Sequence, residues 1–521
     1  MTPAAGSAAP QCGAAYPQNA TLRSLARPRR TGVRRSHRPS GFKRVRLPIV
    51  NPGLAGALLL ALCGCATVEV PPGAAVAVPA AWSGDPSAVR TGGTSLAHWW
   101  SRFDDPLLST LVTDALRANT DVQGAQAALR QARALRDVAA GALWPTLDGA
   151  ASAQHGNVGG KSTGERFQVG LDASWELDIF GVNRSALAAA AATARASAAS
   201  LGDVQVSIAA EVALAYIQLR NAQALLAIAD DNLASQRETL QITRWRLQAG
   251  LTTSLEAEQA LTQTEQTSAL VPTIQTGIAQ SRYALAVLTG RPPAALAAVL
   301  AAVGPVPQAA PGLVLSFPAE TLRQRPDVRA AEEAMRSAMA RVAQANAARA
   351  PNFTISGSLG LDALTLAGLT HGASVVSVLL AAVTLPIFDG GTLRAQVRAQ
   401  QAALDQAGST YKAAVLNALK DVEDALVALA GDRERLTHLQ LAAAAAGNAA
   451  LLARQRYSGG VVDFQTVLDT QRTQLTAQEG LAAGGADLSA DHVRLYKALG
   501  GGWQPDSAPT GGPPFGNKSS N

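Results

Sequence analysis

The chain has 521 residues, 48% of them hydrophobic but only 4% aromatic and 16% charged, a balance suited to long, closely packed helices rather than a compact mixed core. Its net charge of +6 would suggest nucleic acid, yet residues 1–64 hold ten Lys or Arg and no acid, leaving 34 basic against 38 acidic residues elsewhere. That excludes nucleic acid as a partner of the body, and three cysteines confined to positions 12, 63 and 65 exclude a disulfide framework or thiolate metal site there.

Residues 1–64 read as a basic leader with a cleaved signal. Lys43, Arg44 and Arg46 precede a short apolar run, Leu54 to Cys63, too short to persist as a membrane helix. Leu62-Cys63-Gly64-Cys65 looks like a lipobox, with Cys65 acylated as the first mature residue. The following Ala66, in place of an Asp that would retain a lipoprotein at the inner membrane, points to outer-membrane delivery. The long preamble, residues 1–41, suggests that translation starts downstream, at Val45. Residues 65–105 then form an N-terminal segment ahead of the first repeat.

A first repeat is expected over residues 106–290. Asp121-Val122 opens an Ala-rich helix that stops at Trp144-Pro145. From Phe167 to Asp178 the pattern alternates, with Phe167, Val169, Leu171, Ala173, Trp175 and Leu177 on one face and polar residues or glycine on the other. Period-2 patterning of this length fits a tilted membrane strand of about 9–11 residues. With the weaker strand from Pro145 it makes a hairpin over residues 145–180. Asp172, Glu176 and Asp178 are expected to face the lumen.

Long helices follow over residues 184–290. Residues 184–249 contain no proline and one glycine, Gly202, enough for a helix of roughly 100 Å at 1.5 Å per residue. Positions 208, 212, 215, 219, 222, 226, 229, 233, 236 and 240 keep a heptad spacing and are apolar except Gln236, a coiled-coil seam with small alanines that let helices approach. A Pro-rich connector spans 291–320. A second repeat, residues 321–500, brings a helix from Asp327-Val328 to Ala350-Pro351, a hairpin over 351–388 and long helices over 392–500. Gly250 and Gly460, which follow Arg246 and Arg456, mark matching helix ends 210 residues apart. Residues 501–521 read as a disordered tail.

The fold class is therefore mainly α with membrane β: long helices and four strands per chain, from a two-fold sequence repeat. Four strands cannot close a barrel, and lipid tolerates no open edge, whereas three copies give twelve strands, an even number. Six scattered histidines and the absence of HExxH, GxSxG and P-loop motifs give no catalytic or metal site, so the chain is expected to be no enzyme and to need no cofactor.

Several motifs resemble the outer-membrane factor family, the TolC-like and OprM-like efflux ducts, and within it the NodT-like lipoprotein branch. They are Trp99-Trp100-Ser101-Arg102-Phe103-Asp104-Asp105-Pro106, Trp175-Glu176-Leu177-Asp178-Ile179-Phe180-Gly181, Arg325-Pro326-Asp327-Val328, Leu385-Pro386-Ile387-Phe388-Asp389-Gly390-Gly391, and Gly460-Val461-Val462-Asp463-Phe464 with Val467-Leu468-Asp469-Thr470-Gln471-Arg472. The resemblance implies a passive trimeric duct through the bacterial outer membrane, lipid-anchored and exporting small molecules for a tripartite system: a twelve-stranded β-barrel continuing into a long periplasmic α-helical barrel, with an equatorial belt formed by the connector and the chain ends. It implies a periplasmic adaptor and an inner-membrane pump as partners, adaptor-contacting tips at Arg246, Gly250, Arg456 and Gly460, and an aperture at Tyr457, Asp463 and Asp469. Thr466 stands where some relatives carry an aspartate. Two alternatives remain open: the outlet of a protein secretion system, and a periplasmic coiled-coil structural or adaptor lipoprotein.

Overall fold

The computed structural model describes residues 77–83, 96–157, 163–310 and 318–503. The leader, Cys65, parts of the equatorial segment and connector, and residues 504–521 of the tail lie outside them. The first half runs α1 (Pro106–Ala118), α2 (Thr120–Gly141), β1 (Thr146–Asn157), β2 (Thr163–Leu177), α3 (Val182–Gln248) and α4 (Ser254–Leu288). The second runs α5 (Pro318–Gln324), α6 (Pro326–Ala347), β3 (Asn352–Ala363), β4 (Ser374–Thr384), α7 (Thr392–Ser458) and α8 (Phe464–Ala498). Three pairs of matching helices have the same length: 22 residues in α2 and α6, 67 in α3 and α7, 35 in α4 and α8.

Local chemistry fixes these boundaries. Asp105 accepts hydrogen bonds from the Leu107 and Leu108 N–H groups at 2.9 and 3.0 Å, and Asn119 from those of Asp121 and Val122; each satisfies donors left free by a first helical turn. The two 67-residue helices start alike, behind glycines in the left-handed region, Gly181 (φ 84°) and Gly391 (φ 88°). Asp178 accepts from the Asn183 and Arg184 N–H groups, and Asp389 from those of Gly391 and Leu393. Asp178 is therefore a helix cap outside β2 rather than a strand residue, leaving Asp172 and Glu176 on the polar face of β2.

The two hairpins are one sheet. The strand order is β1-β2-β3-β4, all antiparallel, and β2 pairs directly with β3. The register places Val169 opposite Leu361, Leu171 opposite Leu359 and Trp175 opposite Ile355, while Leu379 of β4 joins the same face through Gly357. Gly170 faces Gly360 across the join, where a Cβ on Gly170 would lie 3.3 Å from the Gly360 Cα; bare backbone lets the hairpins meet. Leu379 is 82% exposed and Leu359 55%, so no described element covers the apolar face. β4 breaks the alternation: Val376, Val378 and Leu380 share the polar face of its neighbour. Strand structure also ends at Thr384, and Ile387 and Phe388 lie exposed beyond it.

The helical core gathers where residues 96–105 and the connector meet α1, α3, α4 and α8. Trp99, Trp100 and Phe103 are buried with Tyr496, Leu108, Val212 and Leu285, in edge-on and tilted ring contacts 5.4–6.2 Å apart. Seven of the ten seam positions of α3 are buried and the others half-buried. A buried cation sits inside this core: Arg220 donates to the Tyr216 hydroxyl at 2.8 and 3.0 Å, to Gln223 at 2.8 Å and to the Ala302 carbonyl at 2.6 Å. Tyr216 donates in turn to Asp105 at 2.8 Å. Burial, above all, pushes the Tyr216 phenol up to about 12, so it stays a neutral donor. The Arg325-Pro326-Asp327 motif acts similarly: Arg325 binds Asp327 and Asp421 and caps α8 at the Ala498 carbonyl.

Gly202 has a packing reason. A Cβ there would collide with the indole of Trp503, so the glycine seats the C-terminal segment on α3. Overpacking of this kind costs about 1–3 kcal/mol, and Gly202→Ala is expected to lower the melting midpoint of the detergent-purified protein by several degrees and shift its tryptophan emission. Unaltered melting and emission would show that Trp503 does not seat there.

Candidate functional site at the helical tips

The far ends of α3 and α7 turn back into α4 and α8 through links of equal length. Gly250 and Gly460 adopt φ of 70° and 72°, left-handed values that glycine takes without steric cost. Gly250 N–H donates to Leu247 O at 3.0 Å and Leu251 N–H to Arg246 O at 2.8 Å; Gly460 and Val461 repeat this on Tyr457 O and Arg456 O at 3.0 and 2.9 Å. These paired bonds are Schellman closures, which satisfy the last free carbonyls of a helix. A Cβ at either glycine would meet nothing within 4 Å, so backbone conformation alone demands them. Thr253 caps α4 through Glu256 N–H, and Asp463 caps α8 through Thr466 N–H at 2.8 Å.

Arg246 and Tyr457, assigned separately to tip and aperture, are in contact. The guanidinium stacks 4.5 Å from the Tyr457 ring centroid and donates to the Tyr457 carbonyl at 3.5 Å. The Tyr457 hydroxyl donates to Glu256 Oε2 at 3.0 Å, and the same carboxylate accepts from the Thr252 hydroxyl. Below, the Tyr457 ring leans on Phe464 at 5.3 Å, which is buried with Leu240, Ala260 and Leu468. Burial first, and the bond to Glu256 second, push the Tyr457 phenol up, so it remains a donor at neutral pH. Glu256 was not singled out in the sequence. Its signal is the Thr253-x-x-Glu256 spacing of a capping box, here with the carboxylate turned to the other hairpin.

The remaining residues are not drawn into this contact. The Asp463 carboxylate is spent on capping, accepting from the Thr466 hydroxyl at 2.5 Å as well as its N–H; those two bonds hold it below the usual carboxylate range. Asp469 is exposed, accepts from Gln465 at 2.9 Å and lies 3.7 Å from Arg472. Arg456 is exposed, with no side-chain partner among the described residues. Above the tips the hairpins are joined by polar bonds: Asn232 to Gln478 at 2.7 Å, Gln471 to Thr239 at 3.1 Å, Arg472 to Gln263 at 2.5 Å and Arg454 to Ser235 at 2.6 Å. Among the described residues, no group of three or more His, Cys, Asp or Glu is placed to hold a metal ion.

Comparison with known proteins matches this architecture. The outer membrane efflux protein family matches residues 111–291 and again residues 317–501. The pyoverdine export outer membrane protein OpmQ of Pseudomonas putida is 32% identical over 463 residues, covering 86% of this chain and 97% of its own length. The toluene efflux pump outer membrane protein TtgI of Pseudomonas putida is 31% identical, covering 85% and 97%. The solved structure of the outer-membrane channel OprN superposes with a TM-score of 0.77 at 34% identity, over 84% of this chain and all of that one. The chain belongs to the outer membrane efflux protein family, and it is an efflux channel component of the bacterial outer membrane.

Proposed function

We propose that three copies of the chain close into one passive duct whose mouth, at the tips of α3–α4 and α7–α8, is held shut by the Tyr457–Glu256 contact. The observation that carries the trimer is the open sheet. Its outer strands β1 and β4 have unpaired edges and its apolar face is bare, conditions that lipid does not tolerate. β1 and β4 run antiparallel in the sheet order, so β4 of one copy can pair with β1 of the next, and three copies give about twelve strands, a number bacterial barrels use.

The tips supply the control point. Exposed Leu251 and Val461, 68% and 73% accessible, crown the two glycine turns beside Arg246 and Arg456, a surface fitted to a periplasmic adaptor that links the duct to an inner-membrane pump. Opening requires the hairpins to part, and polar bonds between them can exchange for water at little net cost. The Tyr457–Glu256 bond is one such latch. Asp469, tripled around the axis, is the carboxylate ring of the aperture, while Asp463 chiefly holds α8 in place. The substrates are small molecules, as the names of OpmQ and TtgI indicate for those relatives. Transport energy comes from the pump, and no catalytic step is assigned to this chain. Cys65 carries the acyl anchor: Cys65→Ser is expected to abolish lipid labelling while leaving an SDS-resistant trimer.

In planar bilayers, Tyr457→Phe keeps the ring under Arg246 but removes the donor. A hydrogen bond to a charged group is worth roughly 1.5–3 kcal/mol, reduced to about 1 kcal/mol at a half-exposed site, so open-state occupancy should rise about five-fold, and Glu256→Gln should act in the same direction. Wild-type gating in both variants would remove the latch. Asp469→Ala is expected to weaken cation block, whereas Asp463→Asn, which retains a capping oxygen, should leave block and conductance near wild type. The reverse ranking would place the ring at Asp463.

A further inference from the structure

A groove of about 1510 Å³ runs along α3 between α2 and α6, and its lining is strongly basic: seven arginines against two glutamates, Glu332 and Glu333. Four of the arginines are engaged. Arg336 bridges both glutamates, Arg195 holds Glu333, Arg136 pairs with Asp137, and Arg329 lies over the Trp503 ring at 5.4 Å. Arg117, Arg133 and Arg323 are exposed and have no side-chain partner among the described residues. A lining with this excess of fixed cations attracts an anionic ligand.

The groove opens on the outer wall of the duct. Trp100, Leu116 and Leu322 belong to its lining, and the segments that carry them would block the lumen if they lay inside. This placement rests on the duct reading above. Among the described residues, the lining holds no carboxylate beyond Glu332 and Glu333. The residues outside the described set contain only Glu69, Asp85 and Asp506 as acidic side chains, and more basic residues than that.

Height above the membrane separates the possible ligands. Arg336 and Arg329 lie 11 and 18 residues from the sheet-side end of α6, roughly 16 and 27 Å at 1.5 Å per residue. The headgroup layer is only about 5–8 Å deep on each side, so lipid phosphates end above these arginines. We propose that the groove docks the carboxylate-bearing glycopeptide of the cell wall, the polymer that presents repeated carboxylates at this depth of the periplasm, and thereby holds the duct in the wall.

The test is co-sedimentation of the purified full-length protein with isolated, protein-free cell-wall sacculi, for wild type, Arg133→Glu and the triple variant Arg117→Gln/Arg133→Gln/Arg323→Gln. Wild type is expected to sediment at low salt and be released by about 0.5 M NaCl, as screening demands. The triple variant should bind roughly ten-fold or more weakly and Arg133→Glu measurably so, both with wild-type conductance, which keeps the duct reading separate from this one. Equal sedimentation of all three proteins overturns the proposal, as does failure of the wild type to sediment. Arginine-dependent capture of anionic phospholipid vesicles, or of poly-glutamate without sacculi, also overturns it, in favour of a lipid or an acidic protein.

Discussion

Hydrocarbon offers no hydrogen bond to a backbone N–H or C=O, and a strand with a free edge inside it leaves a row of such groups unsatisfied at several kcal/mol each. The sheet of this chain has two free edges, and everything else in the molecule is arranged around that requirement. The β2–β3 join turns two hairpins into one four-stranded unit through the close Gly170–Gly360 approach. The duplicated halves then hang matching helices from it, and in the proposed trimer repetition of this unit around an axis satisfies the edges and encloses a helical tube.

The helical half solves a different problem. A tube that must open cannot be locked by apolar packing along its whole length. Its core is accordingly concentrated near the belt, around Trp99, Tyr216 and Tyr496, where Arg220 and Arg325 tie segments distant in sequence. Toward the tips the contacts between hairpins become polar, apart from the small cluster under Tyr457. In the proposed duct this places stability near the core and adjustability at the mouth, where Tyr457 meets both Glu256 and Arg246 across the two tips.

Much of this was legible in the sequence because it is local. Alternation from Phe167 to Leu177, the heptad seam of α3, and glycines 210 residues apart each reflect a period or a backbone conformation set by neighbours. Partner choice was not legible. Asp178 and Asp463 read as lumen and aperture charges, and the capping bonds that both make to helix N-termini were not legible, because that role depends on where a helix starts to within one residue. Glu256 reads as an ordinary capping-box acid until the opposite hairpin brings Tyr457 to it. Arg220 looks like any surface arginine of a long helix, and only the folded connector, through the Ala302 carbonyl, reveals it as buried. The β2–β3 pairing joins residues nearly two hundred positions apart, and no local pattern specifies it.

The central claim is that the edges of one copy are closed by the next. The body of the chain has no cysteine after Cys65, so a background with positions 12, 63 and 65 replaced by serine permits clean disulfide mapping. One cysteine would be placed along β1, for example Ala151→Cys, and one along β4, at successive positions from Val375 to Val383. Oxidation in outer membranes is expected to give, at one register, covalent dimers and trimers on non-reducing gels that vanish on reduction. If no β1–β4 pair links separate chains at any register, the edges are not closed by a neighbouring copy and the trimeric barrel is wrong.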